Sequence, residues 1–250
     1  MSESICVIIP TYNNAGTLRQ VLDGVLKYTD SVIVVNDGST DDTFAILDEY
    51  AGRIDTVIFP KNRGKGAALK AGFDLAVGQG YSAAVTIDAD GQHLPSDLPA
   101  FFEAARQNPG ALIVGIREDL AAENKSGGST FANRFSNFWF TLQTWVRLKD
   151  TQCGYRLYPL RKIRSIRFLT SRYEAELELL VFSAWRGARF VQLPVTVLYP
   201  EDRVSHFRPF ADFARISLLN TVLCILAIFY GLPRRALVFA WQLIRRKSSN

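Results

Sequence analysis

The chain has 250 residues, 48% of them hydrophobic, which is enough for one substantial core. Three cysteines, Cys6, Cys153 and Cys224, lack metal-ligand spacing and an even disulfide framework, and only two histidines, His93 and His206, are available, so zinc chemistry is excluded. The formal charge of +5 is uneven: residues 203–250 carry eight Arg or Lys and one Asp, a net of +7, leaving −2 for residues 1–202.

The amino-terminal run MSESICVIIP lacks a basic stretch before its apolar residues, so it reads as a first strand and not as a secretion signal. Reduced thiols and a cytoplasmic amino-terminal domain are expected. Strand patterns follow near 4–10, 31–36, 54–59, 82–88 and 111–116, alternating with helix patterns near 16–28, 42–51, 65–78 and 96–107. This alternation predicts an α/β fold with a mostly parallel sheet and crossover helices. A polar, glycine-containing loop at 118–130 precedes a Phe- and Trp-rich helix near 131–147. An extended stretch near 152–158, a helix near 172–186 and a strand at 189–198 complete the pattern.

The segment Thr86-Ile87-Asp88-Ala89-Asp90-Gly91-Gln92-His93 places two carboxylates one residue apart where a strand ends. Ligands of open α/β sheets gather at such ends, and hard oxygen donors suit Mg²⁺ or Mn²⁺ on a diphosphate. Taken alone, the pair fits a helix cap equally well. Asp37, ending the strand SVIVVN, is placed to accept hydrogen bonds from a base or ribose, whereas Ser39 to Asp42 read as capping residues. Lys61-Asn62-Arg63-Gly64-Lys65-Gly66 opens a helix with glycines and a cation, a setting that favours phosphate. Neither a P-loop nor a dinucleotide fingerprint fits it, so kinase-type ATP use and NAD binding fall in rank, and the absence of Gly-x-Ser-x-Gly removes the hydrolase reading. His93 is a binding candidate or a structural histidine of the turn.

Pro10-Thr11-Tyr12-Asn13, Asp37-Gly38-Ser39, Asn62-Arg63-Gly64-Lys65-Gly66, Asp88-Ala89-Asp90-Gly91-Gln92-His93, Gly115-Ile116-Arg117, Asp150-x-x-x-Gly154-Tyr155-Arg156 and Tyr173-Glu174-Ala175-Glu176-Leu177 follow one another in this order. The ordered set resembles family 2 glycosyltransferases of GT-A fold, most closely the dolichol- or polyprenyl-phosphate sugar transferases. The resemblance implies that Pro10, Tyr12 and Asp37 line the nucleotide, with Lys65 nearby. It also implies that Asp88 and Asp90 sit at the diphosphate and that Asp90 and Gln92, with Asp88, hold Mg²⁺ or Mn²⁺. The donor would be a UDP- or GDP-sugar. Asn14 departs from the Glu of many relatives, and Arg203-Val204-Ser205-His206-Phe207-Arg208-Pro209 replaces the family's basic Ser-Lys element.

Displacement of a nucleoside diphosphate builds negative charge on the leaving group, which a divalent cation stabilises. A lipid-phosphate acceptor is already an anion and needs cations to hold it; Arg117, Lys125, Arg134, Arg203 and Arg208, with Ser205, are the candidates. Each arginine taken singly also fits a solvated loop face. A hydroxyl acceptor requires a base, for which Asp150 or Glu176 is available. Asp150 also suits a local loop hydrogen bond, and Glu176 the polar face of an amphipathic helix. A nucleotide-sugar binding or scaffold protein without catalysis is the reading from another class.

The basic tail points to an anionic membrane surface and not to nucleic acid, because the uncharged stretch Ile216–Pro233 adjoins Arg234-Arg235, a second apolar piece and Arg245-Arg246-Lys247. Its 18 residues would reach about 27 Å as a helix, just short of a ~30 Å hydrocarbon core. Gly231-Leu232-Pro233 is expected to break it, giving two interfacial helices on the cytoplasmic leaflet; packing on the domain or in an oligomer is the alternative. The expected division is a catalytic domain over 1–209, with the nucleotide side about 1–116 and the acceptor side about 117–209, followed by membrane-associating helices over 210–250.

Overall fold

The computed structural model describes residues 4–117, 127–166, 168–198 and 209–237, with the side chains of 127–131 and 209–214 outside the description. Seven strands form one sheet: β1 (Ile5–Thr11), β2 (Val32–Asn36), β3 (Asp55–Ile58), β4 (Ala83–Thr86), β5 (Leu112–Arg117), β6 (Arg156–Pro159) and β7 (Phe190–Val195). Their spatial order is β3-β2-β1-β4-β6-β5-β7. All pairings are parallel except those of β6, which runs antiparallel to both β4 and β5. Helices α1 (Ala15–Val25), α2 (Thr43–Glu49), α3 (Lys65–Gly78), α4 (Leu98–Gln107), α5 (Gly127–Thr144), α6 (Leu160–Ile163), α7 (Glu174–Trp185) and α8 (Pro209–Leu226) surround it.

The apolar runs of β1, β2 and β4 follow from their central place, since strands covered on both faces need side chains that lose nothing in the dry core. Successive residues feed opposite layers: Cys6 and Ile8 pack with Phe73 and Leu180, while Val7 and Ile9 pack with Leu18, Leu22 and Phe101. The strand order reverses beside β1, so the carboxyl ends of β1, β2, β4 and β5 and the amino end of β6 share one edge of the sheet. That edge carries the candidate residues Asp37, Asp88 and Arg117 at or just beyond their strand ends.

Two expected boundaries move. The aromatic-rich helix runs over Gly127–Thr144 rather than 131–147. It stops because Thr144 Oγ1 turns back onto the Phe140 carbonyl and accepts from Val146 N–H, and Trp145 adopts a left-handed φ of 55°. Gly231-Leu232-Pro233 does not break the last helix, which passes through a π turn at Ala227–Gly231 and continues to residue 237. The widened turn accommodates the missing N–H of Pro233, and Gly231 lies so close to the Trp185 indole that a Cβ there would come within 2.2 Å of it. The uninterrupted Arg215–Leu237 helix, 23 residues, is long and apolar enough to cross a membrane by length and composition.

One stripe of that helix, Leu219, Leu223 and Ala227, is buried with residues of α5 and α7, and Gln143 Nε2 of α5 donates to Asn220 Oδ1 at 3.0 Å. Leu218, Val222, Ile225 and Phe229 are exposed.

Candidate active site

Two loops clasp each other at the ends of β1 and β2. Asn13, with a left-handed φ of 53°, donates its N–H to Ser39 Oγ at 2.9 Å, and its side-chain oxygen accepts from Thr40 N–H at 2.8 Å. Asp41 accepts from Ala15 N–H, the first residue of α1, and from Thr43 N–H, the first of α2. One carboxylate thus serves two helix starts, so the expected capping role of this segment extends to the neighbouring helix. Tyr12 follows β1 half-buried beside this clasp, and Pro10 is buried within the strand.

Asp37 directly follows β2 and already has backbone partners. Its side chain is buried, and its two oxygens accept from the backbone N–H groups of Arg63 (2.7 Å) and Gly64 (2.8 Å). Burial raises its pKa despite these bonds. In this geometry Asp37 fixes the 61–66 loop, which forms a wall of the cleft. Gly64 sits at φ 97° and approaches the Ser171 carbonyl so closely that a Cβ would be 2.5 Å from it, which is why this turn requires glycine.

The loop places Lys65 at the first position of α3. Its ammonium lies between two carboxylates, 2.8 Å from Asp88 Oδ1 and 2.8 Å from Glu176 Oε2. Only 16% of the Lys65 side chain is exposed, so solvent screens these contacts weakly. Burial alone would depress the lysine, yet Asp88 and Glu176 raise its pKa well above the ordinary range. Burial pushes the Asp88 carboxyl up, and Lys65, with smaller contributions from His93 and Arg156, more than reverses this, holding it below the usual carboxylate range. Gly154 completes the enclosure, since a Cβ there would stand 2.8 Å from Asp88 Oδ2.

The turn beyond Asp88 is held at several points. Ile87 N–H donates to the Ile8 carbonyl, Thr17 Oγ1 donates to the Ala89 carbonyl at 2.6 Å, and Gln92 N–H donates to Asp90 Oδ1 at 3.0 Å. His93 is buried, bridges antiparallel to Val197 and packs its ring 5.2 Å from that of Tyr155. Burial pushes its pKa down to about 4, so the imidazole is neutral at physiological pH.

On the same edge of the sheet, Arg117 at the end of β5 grips Asp150 with two parallel bonds, Nε to Oδ2 at 2.6 Å and Nη2 to Oδ1 at 3.1 Å. Asp150 is fully buried and also accepts from the N–H groups of Gln152 and Cys153. Its carboxylate accepts from Arg117 and from two backbone amides, which holds the Arg117 guanidinium in place. Glu176 is likewise committed to Lys65, although its Oε1 is buried without a hydrogen-bond partner among the described residues.

Arg134 lies on the exposed side of α5. Lys125, Arg203, Ser205 and Arg208 fall outside the described residues. Arg156 was quoted with its motif but given no role by sequence reasoning. It is fully buried on the central strand β6, and a charged residue inside the apolar run Tyr155–Leu160 was the signal.

Among the described residues no three His, Cys, Asp or Glu side chains converge as an ion cage. Asp88, Asp90 and Gln92 nevertheless offer hard oxygen donors on one short turn. That set fits a Mg²⁺ or Mn²⁺ ion whose remaining ligands are substrate phosphates, as such ions are commonly held.

The sequence profile of glycosyl transferase family 2 matches residues 6–164. The chain is 32% identical over 211 residues to the polyprenol monophosphomannose synthase of Mycolicibacterium smegmatis, covering 80% of this chain and 79% of that protein. It is 26% identical over 219 residues to the UDP-N-acetylglucosamine–dolichyl-phosphate N-acetylglucosaminyltransferase of Methanococcus voltae, covering 79% and 86%. Among solved structures, mannosyl-3-phosphoglycerate synthase from Rubrobacter xylanophilus superposes with a TM-score of 0.66 at 16% identity, over 93% of this chain and 76% of that one. The protein belongs to glycosyl transferase family 2, and it is a glycosyltransferase of GT-A fold.

Proposed function

We propose that the protein transfers a sugar, with inversion, from a UDP- or GDP-sugar to a polyprenyl phosphate at the cytoplasmic face of a membrane, using Mg²⁺ or Mn²⁺. One observation carries this reading: the carboxyl edge of the sheet brings together the Lys65–Asp88 pair, with Asp90 two residues on, and an arginine, Arg117, oriented by the buried Asp150 carboxylate. The relatives named above are by their names transferases to polyprenyl and dolichyl phosphates, which is the chemistry such a pair of subsites serves.

Asp90 and Gln92, with Asp88 beside them, would hold the divalent ion on the donor diphosphate, where it neutralises charge as the diphosphate leaves. Pro10 and Tyr12 would face the nucleotide, while Asp37 keeps the 61–66 loop in place. Lys65 would bind diphosphate oxygens. Arg117 would hold the acceptor phosphate on the opposite face of the sugar, with Arg134, Lys125, Arg203, Ser205 and Arg208 as further contacts. An oxygen of that phosphate forms the new bond to the anomeric carbon as the bond to the diphosphate breaks, and the electron pair departs with the nucleotide. A phosphate acceptor carries no proton to remove, which agrees with the enclosure of Asp150 and the pairing of Glu176. Both carboxylates then act by positioning.

Residues 1–209 form the catalytic unit in this reading, and 210–250 the membrane-associating part. The exposed apolar stripe of α8, flanked by Arg215 and by Arg234 and Arg235, would lie in the headgroup region while its opposite stripe stays on α5 and α7.

Labelled UDP- and GDP-sugars supplied with a short polyprenyl phosphate and Mn²⁺ test the proposal. A labelled lipid-phase product of inverted anomeric configuration, abolished by chelation, is expected. Transfer to a saccharide hydroxyl with none to the lipid phosphate would overturn the acceptor assignment, and unchanged turnover in chelator would overturn the metal.

A further inference from the structure

Arg156 is fully buried and no carboxylate pairs with it among the described residues. Its Nη1 donates to the Glu176 carbonyl at 3.0 Å and to Tyr158 Oη at 3.1 Å, and its Nη2 donates to the Thr151 carbonyl at 2.8 Å; Nε has no partner among the described residues. Neutral acceptors satisfy most of its hydrogen bonds, so no carboxylate in direct contact balances its charge. A buried cation is expensive, and packing alone would be served better by an apolar side chain.

Its position accounts for it. Arg156 pairs in register with Thr86 of β4 and with Val114 of β5, so it sits between the strand that leads to Asp88 and the strand that ends at Arg117. Its bond to the Glu176 carbonyl brings the guanidinium under the first turn of α7, and its bond to Thr151 reaches the loop that carries Asp150.

Charge balance then assigns a task. Lys65 and Arg156 contribute two positive charges, and Asp88 and Glu176 two negative ones, so the cluster is neutral as it stands. A donor diphosphate adds negative charge and calls on Lys65, whose ammonium is already engaged by both carboxylates. Were Lys65 their sole counter-charge, its departure would leave two anions side by side in a site that water reaches only in part, which is unfavourable.

We infer that Arg156 is a positioning residue that supplies the standing counter-charge to Asp88 and Glu176, and so releases Lys65 to the diphosphate when the nucleotide binds. The inference rests on the nucleotide-diphosphate reading of the Lys65 and Asp88 site given above. Electrostatics agree with the geometry: Arg156 is among the smaller contributors, after Lys65, that keep the Asp88 carboxyl low. Burial would lower the guanidinium's own pKa, but Tyr158 and Glu176 raise it.

Calorimetric titration of the full chain with UDP and with GDP in Mn²⁺ tests it. Arg156→Lys, which keeps the charge, should bind within about threefold of the parent, and Arg156→Gln should bind about tenfold more weakly, or about 1.4 kcal/mol. Removing one of the anions should restore what was lost, so Arg156→Gln combined with Glu176→Gln should regain most of the affinity. A purely structural arginine would leave that double variant as weak as the single one, and this result would overturn the inference. Glu176→Gln alone gives a second reading that does not depend on whether the Arg156 variants fold: unchanged or tighter nucleotide binding is expected, and a tenfold loss would overturn the inference. Failure of the parent protein to bind either nucleotide would instead refute the reading of the site itself.

Discussion

The two ion-pair systems of the cleft are built for opposite purposes. At Arg117 and Asp150 one cation meets one carboxylate in a two-bond fork, and the fully buried carboxylate takes further backbone donors. At Lys65 one cation is shared by two carboxylates, each partly accessible, with side-chain exposures of 25% for Asp88 and 11% for Glu176. A planar guanidinium held in a fork is pre-organised and loses little on meeting a phosphate, whereas an ammonium on a flexible stem can change partners. The first system is a fixed strut and the second a latch. Substitutions that separate strut from latch test this contrast most directly.

The largest effect is expected outside both pairs, at the turn they flank. Asp90→Asn should lower kcat/KM about a thousandfold by removing a charged ligand from the diphosphate site. Thermal stability of the free protein should change by no more than about 0.5 kcal/mol, because Asp90 is only half-buried and Asn preserves the acceptor for Gln92 N–H. A thermal melt beside the kinetic assay checks both. Equal loss of stability and activity would mean that Asp90 is a turn residue and no more.

Next comes the strut. Asp150→Asn should reduce kcat about a hundredfold by letting Arg117 swing, and destabilise the fold by about 3 kcal/mol, since it breaks one side of a buried pair. The remaining activity should keep the parent's pH profile. If Asp150 were the proton acceptor of a hydroxyl transfer, its removal would abolish the acidic limb of that profile. Lys65→Met, at the latch, should act on binding more than on turnover, weakening nucleotide affinity about thirtyfold in calorimetry while kcat at saturating donor falls less. A loss confined to kcat would place Lys65 in the transition state alone.

The contrast also explains how much of the molecule was legible in its sequence. The parallel core was, because strands buried on both faces must be continuous apolar runs, and VIVVN and SAAVTI can hardly be anything else. The Asp88 turn was legible for the same reason, since a polar motif at the end of such a run lies at the sheet's edge. Pairing was not. Lys65 meets Glu176, and Arg117 meets Asp150, only because β6 enters the sheet antiparallel between β4 and β5, and nothing in the stretch 152–158 states its direction. The partners of Asp37 were hidden for a related reason: a carboxylate at a strand end can face a ligand or the backbone of the next loop, and nothing local in VVNDGS announces the amides of Arg63 and Gly64 that donate to it. The last helix misled because Gly231 and Pro233 read locally as a break, while Trp185, distant in sequence, packs against Gly231 and the helix carries on.

A third ion pair calibrates the other two. Arg19 on α1 and Glu49 at the end of α2 form the same two-pronged contact as Arg117 and Asp150, with both oxygens engaged. The forks differ in the nitrogens used, Nη1 with Nη2 at Arg19 and Nε with Nη2 at Arg117, but the larger difference is solvent: about half of each side chain is exposed, at 49% and 52%. Water and salt screen such a pair, and ordering two long side chains offsets most of what remains. Arg19→Ala should leave kcat/KM unchanged and shift Tm by no more than about 2 °C, a difference that disappears in 0.5 M salt. If Arg19→Ala cost as much as Asp150→Asn, fork geometry and not burial would set the worth of these pairs, and the distinction between strut and latch would have to rest on the side chains alone.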